Sequence, residues 1–183
     1  ELIALAKSQP GKLTYGSTGP GQISHLNGEL FKVLAGVDIL HVPYKGAAPL
    51  LPELIGGQIS MNFSVAVDGR NLMRAGRLRA LAVTSPKRLA IMPEVPTLDE
   101  SGLKGYDVSN WNGIWAPAKT PREVIDRLHR EICKSMESAD VRERIAVQGN
   151  VVVCDTPDEF AAYIRKEAAK WSKVIKDARI KLD

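Results

Sequence analysis

The chain has 183 residues, 44% hydrophobic and 25% charged, with a formal net charge of +4. That length buries a core without disulfide or metal staples, and that balance excludes a disordered chain. The excess positive charge is spread evenly, +2 over residues 1–118 and +2 over 119–183. With no basic block and only 5% aromatic residues, nucleic acid is not an expected partner. No apolar run approaches the roughly 20 residues of a membrane span.

Residues from Leu2 onward read as a helix with no capping residue ahead of them, ended by Pro10-Gly11. An uncapped start is the pattern of a chain cut within a longer protein. Leu13-Thr14-Tyr15 reads as a strand running into the loop Gly16–Gly21. Ser24 is placed to cap a helix over His25–Ala35. Leu26, Leu30, Val33 and Leu34 recur at helical spacing and are its expected buried stripe.

The unit then repeats. Ile39–Val42 is a strand, followed by the turn Pro43-Tyr44-Lys45-Gly46 and a short helix that begins around Pro49 and stops at Gly56-Gly57. Pro49 and Pro52 both fit if they fall in the first turn. Ile59, Met61 and Phe63 alternate as a strand, Arg70–Ala75 is helical, and Leu78–Thr84 is a further strand. Strands alternating with helices imply an α/β fold with a parallel sheet.

Thr97-Leu98-Asp99-Glu100 has the form of a capping box. Tyr106–Ala116 runs extended. Thr120-Pro121-Arg122-Glu123 and Thr156-Pro157-Asp158-Glu159 are matching helix starts, Asp140 can cap a short helix, and Val151–Val153 is a strand. The final helix carries Phe160, Ile164, Ala168, Trp171 and Val174 on one stripe. The character of the chain changes near residue 112. Residues 1–112 form an α/β lobe. Residues 113–183 form a crossover followed by helix, helix, strand and helix, too little for a second domain alone. Trp111, Trp115, Phe160 and Trp171 are expected to leave apolar surface open, or to bury it against another chain.

The loop after the first strand is the first candidate site. Gly-rich turns aim backbone amides at one spot, which suits an anion, and Ser17, Thr18 and Ser24 add hydroxyls. Two alternatives stand beside this: a plain tight turn, and a nucleophilic Ser17 with His25 as its base. The nucleophile motif Gly-x-Ser-x-Gly is absent. Tyr44-Lys45-Gly46 falls on the same sheet edge, where ligands of open α/β sheets bind, and Ser64 and Asp68 lie on a third loop there. His41 reads as a packed core histidine and His129 as a solvated one. No cluster has metal-ligand spacing, and no metal or cofactor is expected. Cys133 and Cys154 are expected to be free thiols.

The runs Leu13-Thr14-Tyr15-Gly16-Ser17-Thr18-Gly19, Ser24-His25-Leu26 and His41-Val42-Pro43-Tyr44-Lys45-Gly46 resemble the Bug family. So do Gly56–Ile59, Ala75–Ser85, Val95–Leu98, Asp140–Arg144 and Thr156–Phe160. These are periplasmic solute receptors of tripartite tricarboxylate transporters. The resemblance implies two α/β lobes closing on a small carboxylate, a membrane permease as partner, a periplasmic location and no catalysis. It implies that this chain is the C-terminal three-fifths, lacking most of lobe one. It also implies ligand contacts from Ser17, Thr18, Gly19, Ser24, His25, Tyr44, Lys45, Gly46 and the third loop at Ser64. Many relatives carry Phe-Asp-Asn on that third loop; here it is Phe63-Ser64-Val65. A homo-oligomer through the apolar surface, a small α/β hydrolase using Ser17, and a non-functional remnant remain open alternatives.

Overall fold

The computed structural model describes residues 1–180. Helix α1 spans Leu2–Ser8, β1 Thr14–Ser17, α2 Ile23–Ala35, β2 Leu40–Pro43, α3 Ala47–Ile55, β3 Met61–Asn62 and α4 Ala66–Arg74. Helices α5 (Arg122–Met136), α6 (Ala139–Val147) and α7 (Pro157–Asp177) follow. The strands form one parallel sheet in the order β2-β1-β3, with Tyr15 beside both His41 and Met61. The alternation of strand and helix therefore produces the α/β architecture that it implies. Among the described residues, no helix is long and apolar enough to cross a membrane.

Two expected strands do not form. The run Leu78–Thr84 contributes only one bridge, Val83 to Thr97. It is pinned instead through Thr84, whose carbonyl oxygen accepts the Val108 N–H at 2.9 Å and whose hydroxyl donates to the Val108 carbonyl at 2.8 Å. Val151–Val153 has no strand partner among the described residues, with Val151 and Val153 82% and 69% exposed. β propensity describes a fit to a pleated, half-buried surface, and these two exposed valines have no such surface to pack on.

Several helix starts also differ. The capping box of α7 forms as read, with Thr156 and Glu159 bonding reciprocally. The matching cassette at Thr120 does not, because α5 begins after Pro121 without a side-chain cap. Ser138, not Asp140, precedes α6. Pro52 lies inside α3 rather than in its first turn.

The largest difference concerns α2. Val33 and Leu34 are 47% and 43% exposed, while Ser24, His25, Asn27, Gly28, Glu29 and Phe31 are buried. The helix turns a largely polar face inward. That costs desolvation unless each group is paired, and the pairs are present. Tyr15 Oη donates to Glu29 Oε1 at 2.6 Å, Lys32 Nζ donates to the same oxygen at 3.1 Å, and Tyr106 Oη reaches the Asn27 carbonyl at 2.8 Å. Around these pairs lies the main core of Ala6, Tyr15, Phe31, Ile39, Leu103, Tyr106 and Val108.

Tyr106 pins α2 from a segment 79 residues away. Tyr106→Phe should cost about 1–2 kcal/mol, because the buried Asn27 acceptors lose their donor. Urea unfolding checks this; an unchanged midpoint would mean that water replaces the hydroxyl.

The cysteines are not free. Cys133 and Cys154 form a disulfide with Cα atoms 5.8 Å apart, tying α5 to the segment ahead of α7. That separation is ordinary for a disulfide, but only packing brings together residues 21 apart in the chain. The expected apolar exposure is found in part. Ile114 and Trp115 are 67% and 66% exposed, whereas Trp111 packs edge-on against Phe160 and Tyr163, and Trp171 packs on the main core.

Candidate functional site

The site is built where β1 and β3 end. Ser17, the last residue of β1, is fully buried, and its Oγ accepts the Gly19 amide at 3.2 Å. This curls the chain back at once. Gly19 has φ +141°, a conformation that suits glycine and strains other residues. Thr18 then faces α2, where its amide donates to Ser24 Oγ at 3.0 Å and its hydroxyl lies 3.0 Å from the same oxygen. Ser24 is thus not the cap of α2; it sits in the first turn and latches the loop. The two hydroxyls share one hydrogen, so the other is left to donate outward.

Behind the loop lie three stacked rings. His25 and His41 are parallel, with centroids 4.0 Å apart and planes at 7°, and Tyr15 stacks on His41 at 4.9 Å. His25 Nδ1 accepts the Gly21 amide at 3.0 Å, so its neutral form carries its hydrogen on Nε2. Burial lowers the His25 pKa, partly opposed by Glu29. Burial and the neighbouring His25 push His41 down to about 4. Burial, with Glu29 beside it, raises the Tyr15 hydroxyl. Near neutral pH the stack therefore carries no charge.

His41 Nε2 lies 2.6 Å from Ser17 Oγ. Ser17 pairs with His41, not with His25, the base in the hydrolase alternative. Ser17 is 0% exposed, and a nucleophile needs an approach path. The pair holds the loop.

In front of the loop is a cavity of about 120 Å³. Thr18, Ser24 and Ser64 of the expected set line it, together with Asn27, Asn62 and Asp68. Thr84, Val108 and Asn110 close one side. Asn27 Oδ1 takes the Tyr106 hydroxyl, and no bond among the described residues uses its NH2 hydrogens. Much of the wall is apolar, from Ile23, Leu50, Phe63 and Val65, with neutral donors set into it and one acid, Asp68.

The remaining expected residues lie around the cavity rather than in its wall. Ser17 and His25 are behind it and Gly19 is in the curl. Tyr44 and Gly46 donate backbone N–H to the Ser17 and Thr18 carbonyls at 2.9 and 3.2 Å, while the Tyr44 hydroxyl leans toward Glu53 at 3.4 Å. Lys45 is exposed. Asn62 was open to sequence reasoning, since it ends β3 as Ser17 ends β1. Asn27 gave no signal, being on the face of α2 that reads as solvated. Thr84 and Asn110 arrive through chain crossings with no local signature.

A parallel sheet with a cavity at its carboxyl edge, and with the one serine–histidine pair among the described residues buried behind it, makes an α/β unit with a candidate ligand site. The chain belongs to the tripartite tricarboxylate transporter family receptors, whose model matches residues 1–180. It is 38% identical over 181 residues to a UPF0065 protein of Pseudomonas sp. (strain P51), from the tcbD-tcbE intergenic region, covering 98% of this chain and 54% of that protein. Among solved structures it is similar to R. palustris Rpa4515 with adipate, at 34% identity and TM-score 0.82, covering 98% of this chain and 60% of that one. It is also similar to the periplasmic binding protein BugD, at 32% identity and TM-score 0.79, covering 98% and 61%. The chain spans about half the length of most of the curated relatives it matches.

Proposed function

We propose that this chain supplies one ligand-binding lobe, residues 1–112, and the returning segment 113–183 of an extracytoplasmic receptor. The receptor takes a small carboxylate in the periplasm and hands it to the permease of a tripartite tricarboxylate transporter. The observation that carries this reading is the cavity at the sheet edge. A carboxylate accepts hydrogen bonds only, and Thr18, Ser24, Asn27, Asn62 and Ser64 offer neutral donors there. The structural relative with adipate binds a ligand of this class. Exposed Ile114, Trp115, Val151 and Val153 offer apolar surface for an opposing lobe or, in its place, a second copy.

Titration calorimetry on the receptor containing this chain, with adipate and succinate, tests the reading. Thr18→Ala and Ser24→Ala should each weaken binding by about 1 kcal/mol, roughly fivefold. Binding unchanged by both substitutions would remove the cavity from the site. Ser17-dependent ester cleavage would overturn the receptor reading in favour of a hydrolase.

Asp68 in the wall favours a second reading, a ligand that also bears an ammonium group. Where relatives carry an acid on the third loop, Ser64 stands here, which points to a carboxylate without an amino group. Ranking aspartate against succinate decides between them. Tighter aspartate binding that is lost in Asp68→Asn would give the ammonium site to Asp68.

A further inference from the structure

The carboxylate cavity makes no use of a second cluster, at the far end of the chain. His129 and Cys133 are one turn apart on the same face of α5, and His129 Nε2 lies 3.3 Å from Cys133 Sγ. The same nitrogen lies 3.0 Å from the Asp155 carbonyl oxygen. Cys154, beside Asp155, completes the disulfide. The ligand-type atoms of His129, Cys133 and Cys154 all lie within 4.8 Å of one another. The first two residues are half-buried and Cys154 is exposed, so the cluster opens to solvent on one side.

We propose that the reduced form of this cluster binds a thiophilic divalent cation of the zinc type through Cys133 Sγ, Cys154 Sγ and His129 Nε2, and that the disulfide closes the site. In the oxidised chain each sulfur is bonded to the other and no thiolate exists. A dithiol or phosphine reductant supplies two electrons. The S–S bond breaks and each sulfur takes up a proton: a dithiol supplies both and leaves as its disulfide, while a phosphine leaves as its oxide, water supplying that oxygen and the two protons. The arriving cation displaces both thiol protons. His129 now aims an N–H at the Asp155 carbonyl; as a ligand it gives up that bond and carries its hydrogen on Nδ1 instead.

The geometry needs little change. Tetrahedral zinc with bonds of about 2.3 Å to sulfur and about 2.0 Å to nitrogen sets ligand atoms roughly 3.6–3.8 Å apart. His129 and Cys133 are already at 3.3 Å, and the sulfurs separate once their bond is cut. Three protein ligands on an open rim leave a fourth position for water, as in exchangeable rather than purely structural sites.

Cobalt(II) titration of the full chain, oxidised and phosphine-reduced, tests this. The expected result is one equivalent bound with a thiolate-to-cobalt charge-transfer band, in the reduced chain alone. Cys133→Ser and Cys154→Ser should each diminish that band, and His129→Ala should weaken binding about tenfold or more. Far-UV circular dichroism shows whether each variant keeps its helices. A cobalt-dependent rise in melting temperature, confined to the reduced wild-type chain, is a readout that needs no variant. Equal binding in the two redox states, or no such rise, overturns the proposal. Unchanged binding in a folded His129→Ala chain also overturns it.

Discussion

Replacing Gly28 with alanine is expected to destabilise the fold by about 3 kcal/mol, although alanine is the better helix former. The propensity gain is about 1 kcal/mol. Against it stands the ring of Tyr15, since a Cβ on Gly28 would sit 2.5 Å from Tyr15 Cζ and closer still to Cε2. The ring cannot step aside cheaply. It is 0% exposed, its hydroxyl is bonded to buried Glu29, and its face lies on His41. Overpacking a filled core costs about 1–3 kcal/mol, and moving the ring also takes the Tyr15 hydroxyl from buried Glu29, leaving Lys32 as the donor to that oxygen, another 1–2 kcal/mol or so. Denaturant midpoints of the wild type and the variant measure the difference. A variant as stable as the wild type would show that α2 can lift off β1 without loss.

Acidification is expected to weaken the fold well above the pH at which carboxylates titrate. His41 has an ordinary value of 6.5 and sits at about 4 in the folded chain. His25 is lowered in the same direction. A lowered histidine binds fewer protons folded than unfolded, so stability rises with pH across the interval. The stabilisation is present in full above about 6.5 and is lost as pH falls from there toward 4. The whole His41 displacement corresponds to about 3 kcal/mol; the ring is only part-buried, and solvent screening brings the expected loss to about 2 kcal/mol. Exposed Asp99, Glu100, Asp158 and Glu159 are lowered by their hydrogen-bond partners. Their contribution is lost only below the ordinary carboxylate range, so it does not overlap the upper part of the window. Urea unfolding at several pH values should show the loss between 6.5 and 4.5, flattened in His41→Gln. A slope that survives this substitution would assign the effect to His25 or elsewhere.

Both predictions rest on the inward face of α2, which is where sequence reading and structure part. The stripe Leu26, Leu30, Val33, Leu34 obeys helical periodicity, yet its last two members are exposed. Periodicity reports which residues share a face; it does not report which partner that face meets. Here the partners are Tyr15 and Tyr106, which favour the polar side through hydrogen bonds, and His41, which stacks on His25. His41 shows the same limit. An apolar strand context reads as core packing, and the ring does pack, but against His25 and over Ser17. The candidate site was legible where a local rule applies. Loops after β1 and β3 lie on the ligand edge of any such sheet, which places Thr18, Ser24 and Ser64. Asn27 and Asn110 enter by burial and by chain crossing, which no local rule records.

The alternation of strands and helices through α4, the glycine turn at Gly19 and the capping box at Thr156 were determined by the sequence alone, because each depends on residues within a few positions of one another. The tertiary structure decided what depends on distant partners: the inward polar face of α2, the Ser17–His41 pair, and the Cys133–Cys154 disulfide with His129 beside it. Those contacts join segments that are remote in the chain. Their energies are repaid only once the sheet and helices have brought the groups within hydrogen-bonding or bonding distance.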